Sequence, residues 1–502
     1  MSALPTSLYK CAQVQALDKA VIASQSTTGF ELMQLAGKRA FELLQSRWPQ
    51  ASTLTVFCGG GNNGGDGYVV AALALQAGLQ VQVYTLADVR KLDNEASLAY
   101  AAAVKAGMEV KAYTPNISQL KGVVVDALLG VGVSGQVRQD YAAAILGINS
   151  TALPVLAIDV PSGICGDTGK IQGVAIRATT TLSFIGLKQG LLTCDATECV
   201  GELVYDSLDI HPSIFETQTP SCNRLEFQPP LLAARHKNSH KGMFGRLLVV
   251  AGDEGFGGAG IMAAEAALIT GAGLVSLATR QQHVSAALAR RPELMVRGVE
   301  SGSDLEALLA SSDILIVGPG IGQSEWSTAM LSLCLEAKKP MLIDADGLNL
   351  LASTFAAHAP RENWVLTPHP AEAARLLNIS TAQVQANRFG AATQLQAKYG
   401  GVIVLKGAGT IIAGKQAIAG KQGIADQQGL SLCSAGNPAM STPGMGDVLS
   451  GIIGALLASD MSISDAARKG VWAHATAGDL SANKLGKHLL ATEIYPELRA
   501  LL

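Results

Sequence analysis

Several things that would announce a partner are scarce in this chain. Aromatic residues are only 5% and charged residues 15% of its 502 positions. The formal charge is −3, from 37 basic and 40 acidic residues, so no basic excess points to nucleic acid and no acidic tail is present. No apolar run reaches the roughly 20 residues of a membrane-spanning helix. The uncharged stretch 141–158 is broken by Asn149, Ser150, Thr151 and Pro154. The opening MSALPTSLYK lacks a basic segment followed by an apolar one. No signal peptide is expected, and a cytoplasmic location is. The eight cysteines form no CxxC pair; Cys194 and Cys199 are the closest, and nothing beside them completes a zinc set. Buried thiols in a reducing compartment are the expectation.

What the chain does have is 48% hydrophobic residues and 54 glycines. That excludes global disorder and suits close-packed α/β folds that hold ligands on glycine turns. Apolar residues at helical spacing (Val14, Leu17, Val21, then Phe30, Met33, Leu35 and Phe41) open the chain. Short apolar strands follow from Leu54, at Val81–Leu86, Gly122–Asp126, Val155–Asp159 and Thr181–Phe184, alternating with helical stretches. This pattern predicts a parallel sheet covered on both faces. Between Asp206 and Lys241 the composition turns polar and Pro-containing. A boundary near Pro220 is expected, giving domains 1–218 and 219–502. A second α/β pattern then starts at RLLVVAG from Arg246 and ends in GMGDVLSGIIGAL.

Three loci in the first half carry chemistry. Gly59–Gly67 reads GGGNNGGDG between a strand and a helix, where backbone N–H groups and the helix dipole favour an anion. Its interior asparagines separate it from the GxGxxG fingerprint. Asp126 and Asp159 end strands beside glycine loops, as ligand groups do at a sheet switch point, although either could only cap the next helix. Lys188 follows another strand; near Asp159 it would pair that carboxylate or shuttle a proton.

In the second half, Gly-x-Gly-Asp at 444–447 precedes an apolar helix. Asp447 there could take a proton from a hydroxyl attacking a phosphoryl group, or could only cap the helix. His369 and Glu372 stand one helical turn apart, either as a core histidine with a surface glutamate or with Glu372 near a phosphate-bound Mg²⁺. KGAGT at 406–410 is a hairpin turn or a nucleotide grip through Lys406 and Thr410. His236 and His240 have i,i+4 spacing but no HExxH, which argues against zinc.

NNGGDG at 62–67, DALLGVGVSG at 126–135, DVPSG at 159–163 and the Lys188 region resemble the YjeF N-terminal domain family, the NAD(P)HX epimerases. This covers roughly residues 8–215. The resemblance implies a Rossmann-like three-layer αβα domain. It implies that Asn62, Asn63, Gly64, Gly65 and Asp66, with Gly130, Val131, Gly132, Val133, Ser134, Gly135 and Gln136, surround a hydrated dinucleotide. Asn63, Asp126 and Ser162 would hold K⁺, and Asp159 would be the acid/base group, with Lys188 beside it. From about 224 onward, HKGMFGRLLVVAG, GAGLVSLAT, GPGIG, LIDADGLN, TPHPAE, KGAGT and GMGDVLSG resemble the ADP/ATP-dependent NAD(P)HX dehydratases, which have the ribokinase fold. His369 stands where sugar kinases carry Asn, and Pro443 removes one backbone N–H from the anion turn.

By that resemblance Ala259, Gly322, His369, Glu372, Lys406, Gly407, Ala408, Gly409, Thr410 and Gly446 would contact substrate or nucleotide, with Asp447 as base. The two halves together resemble the bifunctional hydrate-repair family nearly end to end. That implies NADHX and NADPHX as substrates, ADP and Mg²⁺ in the second domain, release of AMP and phosphate, no nucleic acid or membrane partner, and a homo-oligomer. A small-molecule kinase with a regulatory front domain, and a non-catalytic nucleotide-binding scaffold, are the alternatives.

Overall fold

The structure, a computed structural model, describes residues 4–24, 27–115, 120–132, 135–415 and 429–502, so Val133 and Ser134 lie outside the described residues. It divides into two compact units, Met1–Asn223 and Arg224–Leu502. No helix among the described residues is long and apolar enough to cross a membrane.

The first unit begins with β1 (Ser7–Leu8). Seven strands then follow, β2 (Thr53–Cys58), β3 (Gln80–Thr85), β4 (Val110–Ala112), β5 (Val123–Ala127), β6 (Val155–Ile158), β7 (Thr180–Phe184) and β8 (Glu202–Asp206). They form one sheet in the order β4-β3-β2-β5-β6-β7-β8, parallel at every pairing. At its end the unit returns as β9 (Cys222–Arg224), whose Asn223 and Cys222 pair antiparallel with Ser7 and Leu8 of β1.

Alternate strand residues face opposite sides. Val56, Val123 and Val125 join one apolar cluster with the helices Gly29–Arg47 and Asn62–Gln76. Phe57 and Val124 join another with Tyr141, Ala144 and Ile145 of the helix Gln139–Asn149. Both faces are thus covered, which is why β5 and β6 read as mainly apolar runs and β7 is fully buried. The opening helical pattern is two helices, Cys11–Ser24 and Gly29–Arg47. Thr28 and Glu31 start the second with reciprocal capping bonds of 3.2 and 2.8 Å. The short strands β4 and β8 were absent from the sequence expectation; each ends a sheet, where burial is thin and the apolar signal weak.

The second unit contains β10 (Arg246–Val250), β11 (Leu274–Thr279), β12 (Met295–Gly298), β13 (Ile314–Val317), β14 (Met341–Ile343), β15 (Trp364–Leu366), β16 (Val402–Leu405), β17 (Thr410–Ala413) and β18 (Leu430–Cys433). Their order is β18-β17-β16-β15-β14-β13-β10-β11-β12. Pairings are parallel from β12 to β16 and antiparallel beyond it. The helix Met445–Ala458 lies on the helix Gly257–Thr270 so closely that a Cβ on Gly451 would strike the Ala263 carbonyl. In both units the strand order reverses once, after β2 and after β10, and the loops at those carboxyl ends frame a crevice.

Candidate active sites

In the first unit the free loop after β2 is only Gly59–Gly61; Asn62–Gly67 already forms the first turns of the helix. The glycines serve packing as well as approach. A Cβ on Gly64 would collide with the Gly59 carbonyl, and one on Gly67 with Ala127 and Cys58. Pulled this close, the helix aims its N-terminus into a cavity of about 560 Å³. Asn62, Asn63 and Asp66 line the cavity with Gly130, Val131 and Gly132 of the loop after β5, and with Asp159 and Lys188. Gly64 and Gly65 are buried behind this wall, while Gly135 and Gln136 are exposed and outside the lining.

Asp159 follows β6 with a left-handed φ of 66° and does not cap a helix. Its Oδ1 accepts from the Phe184 N–H at 3.3 Å and from the Lys188 ammonium. Lys188 is buried and also donates to the Phe184 carbonyl at 2.9 Å. A third carboxylate, Asp18, projects into the same cavity from the helix Cys11–Ser24. Burial pushes it up to about 6, with Lys188 opposing and Asp159 adding. Asp66 lies well above the usual carboxylate range, through burial first and then the charges of Asp159 and Asp18. Sequence reasoning missed Asp18; the available signal was an acidic residue beside the buried stripe of Val14, Leu17 and Val21.

Asn63 and Ser162 converge on Leu129, and Asp126 joins them through Ser162. Asn63 Nδ2 donates to the Leu129 carbonyl at 3.0 Å, and the Leu129 N–H donates to Ser162 Oγ at 2.8 Å. Ser162 donates to Asp126 through its hydroxyl at 2.6 Å and its N–H at 2.8 Å. Asp126 is fully buried, and burial pushes it up to about 6 against those hydrogen bonds. Asn63 Oδ1 is buried without a hydrogen-bond partner. An orphaned amide oxygen, a buried carboxylate, a hydroxyl and a backbone carbonyl make an oxygen-only donor set, which fits a hard monovalent cation. Among the described residues no cluster of three or more His, Cys, Asp or Glu could hold a metal ion. The described residues include all eight cysteines, and none is in a disulfide.

In the second unit Gly444, with φ 92°, is the residue that opens the helix Met445–Ala458. The cap is therefore a glycine, and Asp447 lies inside the first turn. Burial pushes Asp447 up to about 7, with Asp344 adding and Lys406 opposing. Asp344, at the end of β14, accepts from Lys406 Nζ at 2.7 Å and from Ser450 Oγ at 2.7 Å. Burial alone would lower Lys406, but Asp344, Glu372 and Asp447 outweigh it and hold the ammonium above the ordinary lysine value. The Gly446 position faces Lys406 Nζ and Asp344 Oδ2; a Cβ there would sit 3.4 and 3.6 Å away.

His369 and Glu372 invert the bland expectation: the glutamate is buried and the histidine half-exposed. They form a reciprocal cap on the helix Pro370–Leu377. His369 Nδ1 accepts from the Ala371 and Glu372 N–H groups at 3.1 and 3.3 Å, and Glu372 Oε2 accepts from the His369 N–H at 2.7 Å. KGAG is the turn of the β16–β17 hairpin. The buried Arg388 holds it by donating to the carbonyls of Leu405, Lys406 and Gly409 at 3.2–3.3 Å. Thr410 donates to the Gly407 carbonyl at 3.1 Å, and Ala408 is exposed at the tip.

Ala259 lies against Gly320, whose Cβ would be 3.0 Å from the alanine methyl. Gly322 faces Asp253, which accepts from Ser324 Oγ and Arg280 Nε at 2.7 and 2.9 Å. Gly318 abuts the Asp344 carbonyl, so the GPGIG loop runs from the Ala259 and Gly322 surroundings to the Asp344–Lys406–Asp447 cluster. Asp344, Ser450 and Arg388 carried no assigned role from sequence. Asp344 had the same signal as Asp126 and Asp159, an acid at a strand end. Arg388 had none.

Two family profiles match the chain, the YjeF-related protein N-terminus over residues 29–190 and the NAD(P)H-hydrate dehydratase over 247–499. A bifunctional NAD(P)H-hydrate repair enzyme of Coxiella burnetii is 44% identical over 99% of this chain and 99% of its own. One from Escherichia coli is 42% identical over 94% of this chain and 90% of its own. A solved ADP/ATP-dependent NAD(P)H-hydrate dehydratase from Bacillus subtilis, co-crystallised with ATP/Mg²⁺, is 27% identical. It covers 53% of this chain and 92% of its own, with a TM-score of 0.45.

Proposed function

Because the chain belongs to the family of bifunctional NAD(P)H-hydrate repair enzymes, we propose that it restores NADH and NADPH from forms hydrated at nicotinamide C6. The first unit interconverts the R and S epimers, and the second dehydrates the S epimer at the expense of ADP. The observation that carries this reading is that each unit gathers paired acid and base groups at the carboxyl ends of its own parallel strands and the helix beside them: Asp159 with Lys188 in the first, Asp447 with Lys406 and Asp344 in the second.

In the second unit Asp447 takes the proton of the C6 hydroxyl as that oxygen attacks the terminal phosphoryl group of ADP, and the P–O bond to AMP breaks. Hydroxide has become a phosphate ester, a better leaving group. The C6–O bond then breaks and phosphate leaves with its electron pair, the C5 proton passes to water, and the C5=C6 double bond returns. The GMGD turn and its helix N-terminus face the transferring phosphate, and Lys406 lies against its charge. Mg²⁺ bound with the nucleotide would neutralise phosphate charge. Glu372, a buried carboxylate whose charge acts on Lys406, would hold that metal through water.

In the first unit the glycine turn and helix N-terminus bind the pyrophosphate, and Asp159 is the acid/base group for inversion at C6. K⁺ would be held by Asn63 Oδ1, Asp126, Ser162 and the Leu129 carbonyl, tying the loops after β2, β5 and β6 together.

Chromatography of purified R and S hydrates incubated with the chain tests the proposal. Without ADP the epimers should equilibrate. With ADP and Mg²⁺ both should convert to the dinucleotide, with AMP and free phosphate released. A stable phosphorylated product would instead indicate a small-molecule kinase, and an unchanged mixture a binding scaffold.

A further inference from the structure

Resting on that reading of the first unit and deepening it, we propose that Asp18 is the second proton-transfer group of the epimerase, acting on the hydroxyl-bearing carbon together with Asp159. C6 of the hydrate carries a hydroxyl and the ring nitrogen. A redox-neutral route to inversion is for the nitrogen lone pair to expel the hydroxyl. The C6–O bond breaks, the oxygen takes one proton and leaves as water, and a planar C6=N1 iminium forms. Water then adds to the other face, the new C6–O bond forms, and one proton is given up. One proton is taken and one returned, and no oxidant or reductant enters. A single carboxylate serves one face of a planar carbon, so two faces call for two groups.

The cavity supplies them. Asp18 and Asp159 reach it from different elements, the helix Cys11–Ser24 and the end of β6. Asp159 is tied to Lys188 and the Phe184 N–H. Among the described residues no group hydrogen-bonds the Asp18 carboxyl, although it is half-buried and its charge acts on Asp66. A half-buried carboxyl that lines a ligand-sized cavity beside Asp159 and Lys188 can reach a bound ligand directly. Lys188, Asp159 and Asp66 face it, with Glu95 and Arg138 elsewhere in the lining. Asp66 is less suited to exchange, because burial and its two acidic neighbours hold its proton.

The test uses the full chain and the purified S hydrate of NADH in ¹⁸O-labelled water without ADP. Wild type should form the R epimer with the label at C6. Asp18→Asn, similar in size and still able to hydrogen-bond, should lower epimerisation kcat by about 10²–10⁴-fold, with KM and ADP-dependent dehydration of the S hydrate near wild type. Asp18→Glu should recover part of the rate. If wild type does not interconvert the epimers, the epimerase reading itself fails. If wild type does, the proposal is overturned by an Asn variant within about threefold of wild type, by a loss confined to KM, or by equal losses in both variants with a lowered unfolding temperature.

Discussion

Asp447 shows how one side chain's surroundings set a testable chemistry. Raised to about 7, it holds its proton below that pH, and the form able to accept a hydroxyl proton grows as pH rises through it. Dehydration of the S hydrate should therefore increase from pH 6 to 8 in wild type. Asp447→Asn should lose about 10²–10⁴-fold in turnover and the pH limb with it, while ADP binding by titration stays near normal. Near-wild-type dehydration by the variant would remove Asp447 from the chemistry. The cation cradle makes a second residue-scale claim, readable without activity. K⁺ held by the native first unit should raise its unfolding free energy by about 1.4 kcal/mol at ten times the dissociation constant. Thermal unfolding in K⁺ against a larger organic cation measures this. Asn63→Ala should abolish the difference. Asp126→Ala should do the same and weaken epimerisation, with S dehydration unaffected.

Among the elements, the two glycine-led helices are positioned by what their glycines omit. Gly64 brings its helix onto the Gly59 carbonyl, and Gly451 brings the Asp447 helix onto Ala263. Neither has the positive φ that would require glycine for conformation, so close approach is the reason for each. Gly451→Ala should push the helix Met445–Ala458 outward, cost about 1–3 kcal/mol, and move Asp447 away from Lys406. Dehydration should fall more than tenfold while epimerisation stays normal, measured on one preparation. A variant with wild-type dehydration would show that the contact relaxes without moving the site.

At the scale of the whole molecule, each unit owns its core and its crevice, so the two activities should separate. The cut matters. β9 closes the first unit by pairing Cys222 and Asn223 with Leu8 and Ser7, and Cys222 is fully buried. A fragment ending at 218 loses that pairing. We expect 1–223 to fold and equilibrate the epimers without nucleotide, 224–502 to dehydrate the S form, and 1–218 to unfold at a lower temperature than 1–223. If epimerisation by 1–223 required ADP, the division of labour would be wrong.

Much of the fold and many residues of both candidate sites could be read from the residues alone. Strand-end acids and glycine turns are local: Asp126, Asp159 and Asp447 each stand beside the turn that presents them, and neighbouring residues carry that signal. Apolar runs marked the buried parallel strands for the same reason. The sheet ends β4 and β8, the capping role of His369 and Glu372, the hold of Arg388 on the KGAG turn, and the entry of Asp18 into the first cavity were left to the tertiary structure. Each depends on partners distant in sequence. Asp18 meets Asp159 and Lys188 only once the first helix packs beside β7, and Arg388 finds its carbonyls only when β16 and β17 pair. Charge and burial belong to neighbourhoods. Side-chain types determined which groups were available, and packing decided which of them would hold a proton, bind an ion or support a turn.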